Sequence, residues 1–411
     1  MRAVILSIGT ELVRGLHLDT HARHVARALG TLGVEVVRHE TLDDDTQTIV
    51  DAFCRAGADA DVLVATGGLG PTQDDCTRHA LAQAMDVPLE EHPEAVAHLQ
   101  AWAEARGRPV SAANRVQTLV PRGADVLPNP VGTAVGIAAR VGKARVFCIP
   151  GVPAEMRVML EGEVLPRLRG TGPGRVTLVR TVRTFGLRES EVAETLADLM
   201  VPGRRPQVGT AVHAGIIDIH IHASGEEGEV RGLLNADAAT VRERLGPAVF
   251  GEGGAGLENA VAALLDERGA TIALAESCTG GLVSAKLVGV PGISAHLLEA
   301  VVAYANVSKV ETLGVPPELI EAHGAVSEPV ARAMAEGVRR RAGADVAVAV
   351  TGIAGPGGGT PEKPVGTVWF ALADAAGTVA AREHLLGDRG LIRERAACHA
   401  LDILRRRLVE C

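Results

Sequence analysis

The chain is 411 residues long, enough for two or three domains that each bury their own core. Nearly half of it is hydrophobic but only 2% is aromatic, with Tyr304 the single tyrosine, so the cores must rest on Val, Leu, Ile and Ala. A net charge of −9 argues against broad nucleic-acid binding, and six scattered cysteines without CxxC or Cys/His spacing argue against a zinc site or a disulfide frame.

The opening MRAVILSIGTEL reads as a buried first strand, because Glu11 follows the apolar run at once and no cleavage site appears. No apolar run approaches the roughly 18 residues that span a bilayer. These features point to a cytoplasmic protein that does not engage the membrane. AVILSIG, a helix over THARHVARALGTLG, VEVVRHETL, a helix over Thr46–Ala56 and DVLVATGG then give the βαβαβ rhythm of a parallel sheet covered by helices. GIAARV, ARVFCIPGVP and a helix from Ala154 to about Leu168 close this stretch. The glycines at Gly170–Gly174 mark a break. A small α+β segment follows, with a helix over Glu189–Met200, the alternating strand IIDIHIHA and a helix over Asn235–Leu245. GEGGAG, Gly251–Gly256, reads as a second linker, and from Leu257 the α/β alternation returns. The expected fold class is α/β: two three-layer α/β domains, 1–170 and 256–411, joined by a small α+β domain, 171–250.

Two strand-to-helix turns carry the chemistry. In VLVATGGLGPTQDDCT, a buried strand runs into Gly67, Gly68 and Gly70, and Asp74 and Asp75 open the next helix. Glycines let backbone N–H groups approach phosphate oxygens, and paired aspartates there can hold a cation bridging a diphosphate. An ordinary turn with aspartate caps has the same pattern. In TIALAESCTGG, Ser277, Cys278 and Thr279 stand together at a sheet's carboxyl edge, the usual place for ligand sites. A nucleophile there needs a base; His296 and His323 are the nearest histidines, and a lysine of lowered pKa is the other option. Lys309 follows a buried strand, where it is otherwise a solvated helix lysine. Tyr304 ends that strand, suited to core packing or to stacking on a ligand. VAVTGIAGPGGG offers backbone amides, and Arg389 and Arg393, four apart on one helix, can face one phosphate or simply solvent.

IGTELVRGLHLDTH, TGGLGPTQDDCT, NRVQ, NPVGTAVG and IPGVPAEM, in this order, resemble the molybdopterin-binding-like domain of the CinA family. That resemblance implies metal-dependent hydrolysis of ADP-ribose to AMP and ribose 5-phosphate. It places Thr10, Glu11, Asp19, Gly67, Gly68, Asn129, Gly132, Thr133 and Glu155 at the nucleotide, with Asp74 and Asp75 on the metal. The implied cofactor is a divalent cation, magnesium or cobalt, with potassium as a further ion. The chain departs from the family in having His21 where Asn is usual and Val135 where Pro is usual.

RTFGLRESEVAETLADLM resembles the family's small KH-like domain, and GEEG, Gly225–Gly228, supplies a GxxG. Its glutamates would repel phosphate, which favours a spacer or interface over RNA binding. AESCTGG, YANVSK, HGAVSEPV, TGIAGPGGG, KPVGTVWF and GDR resemble the family's C-terminal domain, also found alone as a nicotinamide-nucleotide amidase. This implies conversion of nicotinamide mononucleotide to nicotinic acid mononucleotide and ammonia without a cofactor, with Ser277 as nucleophile and Lys309 as base. Tyr304, Thr279, Gly280, Thr351, Gly352, Gly355, Arg389 and Arg393 are the implied substrate contacts. The expected whole is a bifunctional homodimer of pyridine-nucleotide salvage; the alternative is a nucleotide-sensing scaffold tied to competence or DNA damage.

Overall fold

The first strand shows why the N-terminal domain is layered. In β1 (Arg2–Ile8), Val4, Leu6 and Ile8 enter one core while Ala3 and Ile5 enter another. Both faces are buried, as a strand between two helical layers requires. In this computed structural model, which describes residues 1–107, 109–169 and 175–410, β1 pairs in parallel with β2 (Glu35–Leu42) and β3 (Val62–Thr66). β4 (Leu89–Glu91) and β5 (Leu119–Pro121) form a separate antiparallel pair. β6 (Asp125–Leu127), β7 (Gly136–Val141) and β8 (Ala144–Ile149) complete the main sheet in the order β2-β1-β3-β8-β7-β6. β1, β3 and β8 are parallel neighbours. Their following loops, IGTEL, TGGLGP and IPGVP, therefore meet at one carboxyl edge.

The break expected at Gly170–Gly174 lies outside the described residues. β9 (Arg175–Phe185), β10 (Gln207–His213), β11 (Ile216–Glu226) and β12 (Val249–Glu252) form a four-stranded sheet in the order β10-β11-β9-β12. Three expectations change here. The helix starting at Glu189 ends at Thr195, and the one expected from Asn235 begins at Glu227. Because β11 runs to Glu226, GEEG is split between a strand end and a helix start, and no clamp-like loop forms. Gly251 and Glu252 belong to β12, pairing with Arg183 and Val182, so the expected linker is shortened.

The C-terminal sheet repeats the logic of the first. β13 (Ile272–Glu276) lies between β14 (Leu297–Val302) and β15 (Val346–Gly352), both parallel to it. β16 (Thr367–Asp374) and β17 (Gly377–His384) follow antiparallel. Ile272 and Leu274 enter one core, Ala273 and Ala275 the other. The alanine-rich face lets the helix Glu328–Ala342 lie close on the sheet, with Val330, Met334 and Val338 filling the gap. The α/β class with a small α+β element between the two larger sheets is thus the observed architecture. By packing, the chain divides into two compact units, Met1–Leu178 with Ala223–Leu233, and Val179–His222 with Leu234–Cys411.

Candidate active sites

Ser277 is the first residue beyond β13, and its N–H still donates to Val350 O at 2.9 Å, so the sheet holds its backbone. Gly280 and Gly281 then take φ of 62° and 90°, a left-handed pair that turns the chain into the helix Leu282–Val288. The helix begins only at Leu282, because these two glycines form the turn. Glu276, fully buried, reaches forward across it. Its carboxylate accepts from Val283 N at 3.1 Å and Ser284 N at 2.8 Å, satisfying two orphan donors of that helix.

Lys309, in the helix Asn306–Leu313, is only 1% exposed. Its Nζ lies 3.1 Å from Ser277 Oγ, 2.9 Å from Ala303 O and 3.1 Å from Tyr304 O. Burial pulls its pKa below the usual lysine value, with the Cys278 thiol opposing weakly. Cys278 packs in the core, and burial pushes its thiol up to about 12, which removes it as a thiolate nucleophile. His296 is not a base for Ser277: its carbonyl pairs with Ile272 N at the other end of β13, and its ring Nδ1 meets Ala270 O.

Around this pair the implied substrate contacts fall into two sets. Tyr304 is exposed, and its hydroxyl accepts from Arg389 Nη2 at 3.0 Å, while Arg389 Nη1 donates to Gly355 O at 2.7 Å. These three converge at the mouth of the site. Arg393 instead donates from Nη2 to Thr279 O at 2.8 Å, pinning the turn. Thr279 and Thr351 are buried, Thr351 Oγ1 donating to Ala325 O at 2.9 Å and Thr279 Oγ1 having no partner. A Cβ at Gly352 would press on Cys278 Sγ, so its role is close packing beneath the turn. Glu276 is the feature the sequence reading missed; a carboxylate in a fully apolar strand end was the available signal.

The N-terminal edge is built from open carboxylates. Glu11, Asp44, Asp74, Asp75 and Glu155 line one cavity of about 360 Å³ together with Gly67, Gly68 and Thr133. Asp74 and Asp75 do not open a helix as expected: the helix starts at Thr77, and both lie in the preceding turn. The physical reason is that Asp75 folds back to accept from Thr72 N at 2.8 Å and Thr72 Oγ1 at 2.5 Å, closing the loop locally. Hydrogen bonding from Thr72 holds the Asp74 carboxyl below its usual pKa. Gly67 and Gly68 have φ of 104° and 64°, and a Cβ at either would collide with Ile8 O or the Thr77 hydroxyl.

Asn129 is fully buried and donates from Nδ2 to Glu155 Oε2 at 2.7 Å and Ala134 O at 2.8 Å, so it orients Glu155. Gly132 packs on the same two side chains. Thr10 and Asp44 bond reciprocally, Thr10 N to Asp44 Oδ2 at 2.8 Å and Asp44 N to Thr10 Oγ1 at 3.2 Å. Asp19 accepts from His21 N at 2.9 Å, capping the helix His21–Gly30, and with Glu11 and His21 it lines an adjoining cavity of about 330 Å³. Burial lowers the His21 pKa, opposed by Asp19. Sequence reading missed Asp44, whose run of three aspartates at the end of β2 looked like loop. It also missed Arg78, which is buried and binds Leu69 O at 2.5 Å and Gly70 O at 3.1 Å.

The donor set suits a hard, oxygen-seeking cation. Among the described residues no group of three or more His, Cys, Asp or Glu is placed to cage an ion. A cation held by one or two carboxylates and completed by ligand oxygens fits this arrangement.

Three families match in the order of the three regions: a probable molybdopterin binding domain over residues 4–170, the damage-inducible protein CinA KH domain over 179–251, and the CinA C-terminal domain over 255–408. A putative competence-damage inducible protein of Symbiobacterium thermophilum is 45% identical, over 100% of this chain and 99% of its own length. The chain belongs to the CinA family. A CinA-like protein of Citrifermentans bemidjiense is 44% identical over 100% of this chain and 98% of its own. A solved CinA superfamily protein from Klebsiella pneumoniae is 35% identical, covering 38% of this chain and 97% of that one, with a TM-score of 0.37. Among the described residues no helix is long and apolar enough to cross a membrane.

Proposed function

We propose that the C-terminal domain of this CinA-family chain is a serine amidohydrolase that deamidates nicotinamide mononucleotide. The buried contact between Lys309 Nζ and Ser277 Oγ carries the reading. A neutral lysine amine has two N–H groups and one lone pair. Ala303 O and Tyr304 O accept the two N–H groups, which aims the lone pair at the Ser277 hydroxyl. Burial favours the neutral form.

Ser277 Oγ then bonds to the carboxamide carbon as its proton passes to Lys309. The Ser277 N–H is committed to Val350 O and the Gly280 N–H to Ser277 O, so the oxyanion would be held by the remaining amides of this turn. Collapse breaks the C–N bond, and Lys309 returns the proton to the leaving nitrogen, releasing ammonia. Water then attacks the acyl ester with Lys309 again taking a proton, Ser277 recovers its hydrogen, and the carboxylate product leaves. Arg389 and Tyr304, at the mouth, are suited to the phosphate and ring of the substrate.

The same reading extends to the N-terminal cavity as an ADP-ribose pyrophosphatase, favoured by its five carboxylates facing a glycine-lined loop. Asp74 and Asp75 would hold the cation, and the cation would neutralise diphosphate charge. Asn129 fixes Glu155, and Arg78 fixes the carbonyls of the glycine loop. Product analysis tests both activities: purified chain should release ammonia from nicotinamide mononucleotide, and AMP from ADP-ribose when metal is supplied. Absence of both products, with binding of the nucleotides retained, would support the nucleotide-sensing scaffold instead.

A further inference from the structure

Neither proposed reaction uses a hollow of about 590 Å³ in the second unit, between Phe185 at the end of β9, strand β17 and one face of the helix Arg389–Glu410. Its size is that of a small-molecule site. Its charges are unevenly satisfied. Asp402 is committed to Arg405 and Arg406, at 2.7 Å each. Arg188 and Arg395 also reach the hollow, and among the described residues neither has a carboxylate partner. Arg395 Nε is buried with no partner at all. Glu383 is the one remaining acid on the wall, which leaves an excess of cationic groups.

The floor is aromatic. His399 meets Phe185 edge-on, with ring centroids 4.8 Å apart, and stacks on Phe370 at 5.7 Å. Burial lowers the pKa of His399, so its ring serves as a neutral flat surface at neutral pH. The hollow thus combines a planar wall with two guanidinium groups that lack a carboxylate partner, the combination that recognises an anion attached to an aromatic ring.

The wall is also connected to the amidase mouth. Arg395 Nη1 donates to Leu386 O, the last wall residue before the Gly387–Asp388 turn. Asp388 caps the helix through Leu391 N at 2.8 Å, and Arg389 comes next, bonded to Tyr304 and Gly355. An anion that draws Arg395 into the hollow releases the Leu386 carbonyl and loosens the segment that sets Arg389. We propose that this hollow is a second ligand site for a nucleoside monophosphate, and that its occupation changes substrate binding through Arg389. The first half stands independently; the second rests on the amidase reading.

The test uses the full chain carrying Ser277→Ala, titrated calorimetrically with AMP, adenosine and inorganic phosphate separately. Ala381→Trp fills the hollow from β17, and Arg395→Gln removes the cation. AMP should bind more tightly than adenosine or phosphate, and each variant should weaken one class of AMP site by at least about tenfold. Unchanged AMP affinity and stoichiometry in both variants would overturn the site. Melting curves of Ala381→Trp without AMP show whether it remains folded, and Arg395→Gln gives the independent answer where it does not.

In protein with Ser277 intact, AMP should shift KM for nicotinamide mononucleotide by about fivefold, and Ala381→Trp should abolish that shift while leaving the rate without AMP unchanged. An equal shift in both proteins means direct competition at the amidase mouth and sinks the coupling while sparing the site. No ammonia release from either protein sinks the amidase reading, and the calorimetry still decides the hollow.

Discussion

The two carboxyl edges of this chain are built on the same plan and left in different states. In both, a central strand lies between two parallel neighbours and runs into a glycine turn. At the C-terminal edge the groups proposed to react already touch, inside the protein, with Lys309 and Ser277 in contact and the turn held by Glu276 and Arg393. At the N-terminal edge, carboxylates gather around an open cavity, and no three metal-capable side chains converge among the described residues. A serine nucleophile with a lysine base needs a dry, pre-aligned pair. A metal-assisted cleavage of a diphosphate leaves ligand positions for its substrate to complete.

The comparison breaks most sharply at Ser277. Ser277→Ala should lower ammonia release by at least about a thousandfold while AMP formation from ADP-ribose stays unchanged, measured by product analysis on one preparation. Lys309→Met should do the same, with circular dichroism to confirm the fold. A fall in both activities would mean that the edges are not independent. The next effect should come from the other side. Asp75→Asn weakens both the cation and the Thr72 anchor, and should cut AMP formation by roughly ten- to a hundredfold, with ammonia release untouched. Chelation by EDTA should separate the two activities in the same direction.

Lys309 sharpens the contrast through pH. In the proposed mechanism the active form is the neutral amine, whose fraction grows as pH rises, and burial lowers its pKa below the ordinary lysine value. Amidase kcat/KM should therefore rise with pH along a limb centred below the ordinary lysine range. A limb at the ordinary value would mean that Lys309 is solvated when the enzyme works.

Much of this was legible in the sequence because strand faces and glycine turns are local. IALAE announces a doubly buried strand, and the paired glycines of AESCTGG announce the turn. The reach of Lys309 to Ser277 spans 32 positions and depends on how β14 packs beside β13, which no local pattern encodes. Family resemblance supplied that pair. Glu276 was missed because its partners are amides, which every residue carries. GEEG shows the opposite limit: the short motif fits, but β11 ends inside it at Glu226 and a helix begins at Glu227, so no loop forms.

The smallest predicted effect lies at the mouth. Tyr304→Phe removes the hydroxyl that accepts from Arg389 Nη2 and keeps the ring. Arg389 retains its bond to Gly355 O, so the guanidinium is loosened, not lost. Because Tyr304 is exposed, water replaces much of the missing hydrogen bond, and a net cost of about 0.5–1 kcal/mol is expected. That corresponds to a rise of about two- to fivefold in KM for nicotinamide mononucleotide with kcat nearly constant, if the hydroxyl helps place the substrate through Arg389 and takes no part in the Ser277–Lys309 proton transfer. Steady-state kinetics separates the two parameters. A fall in kcat with KM unchanged would place the Tyr304 hydroxyl in the proton path and make the lysine only part of the base.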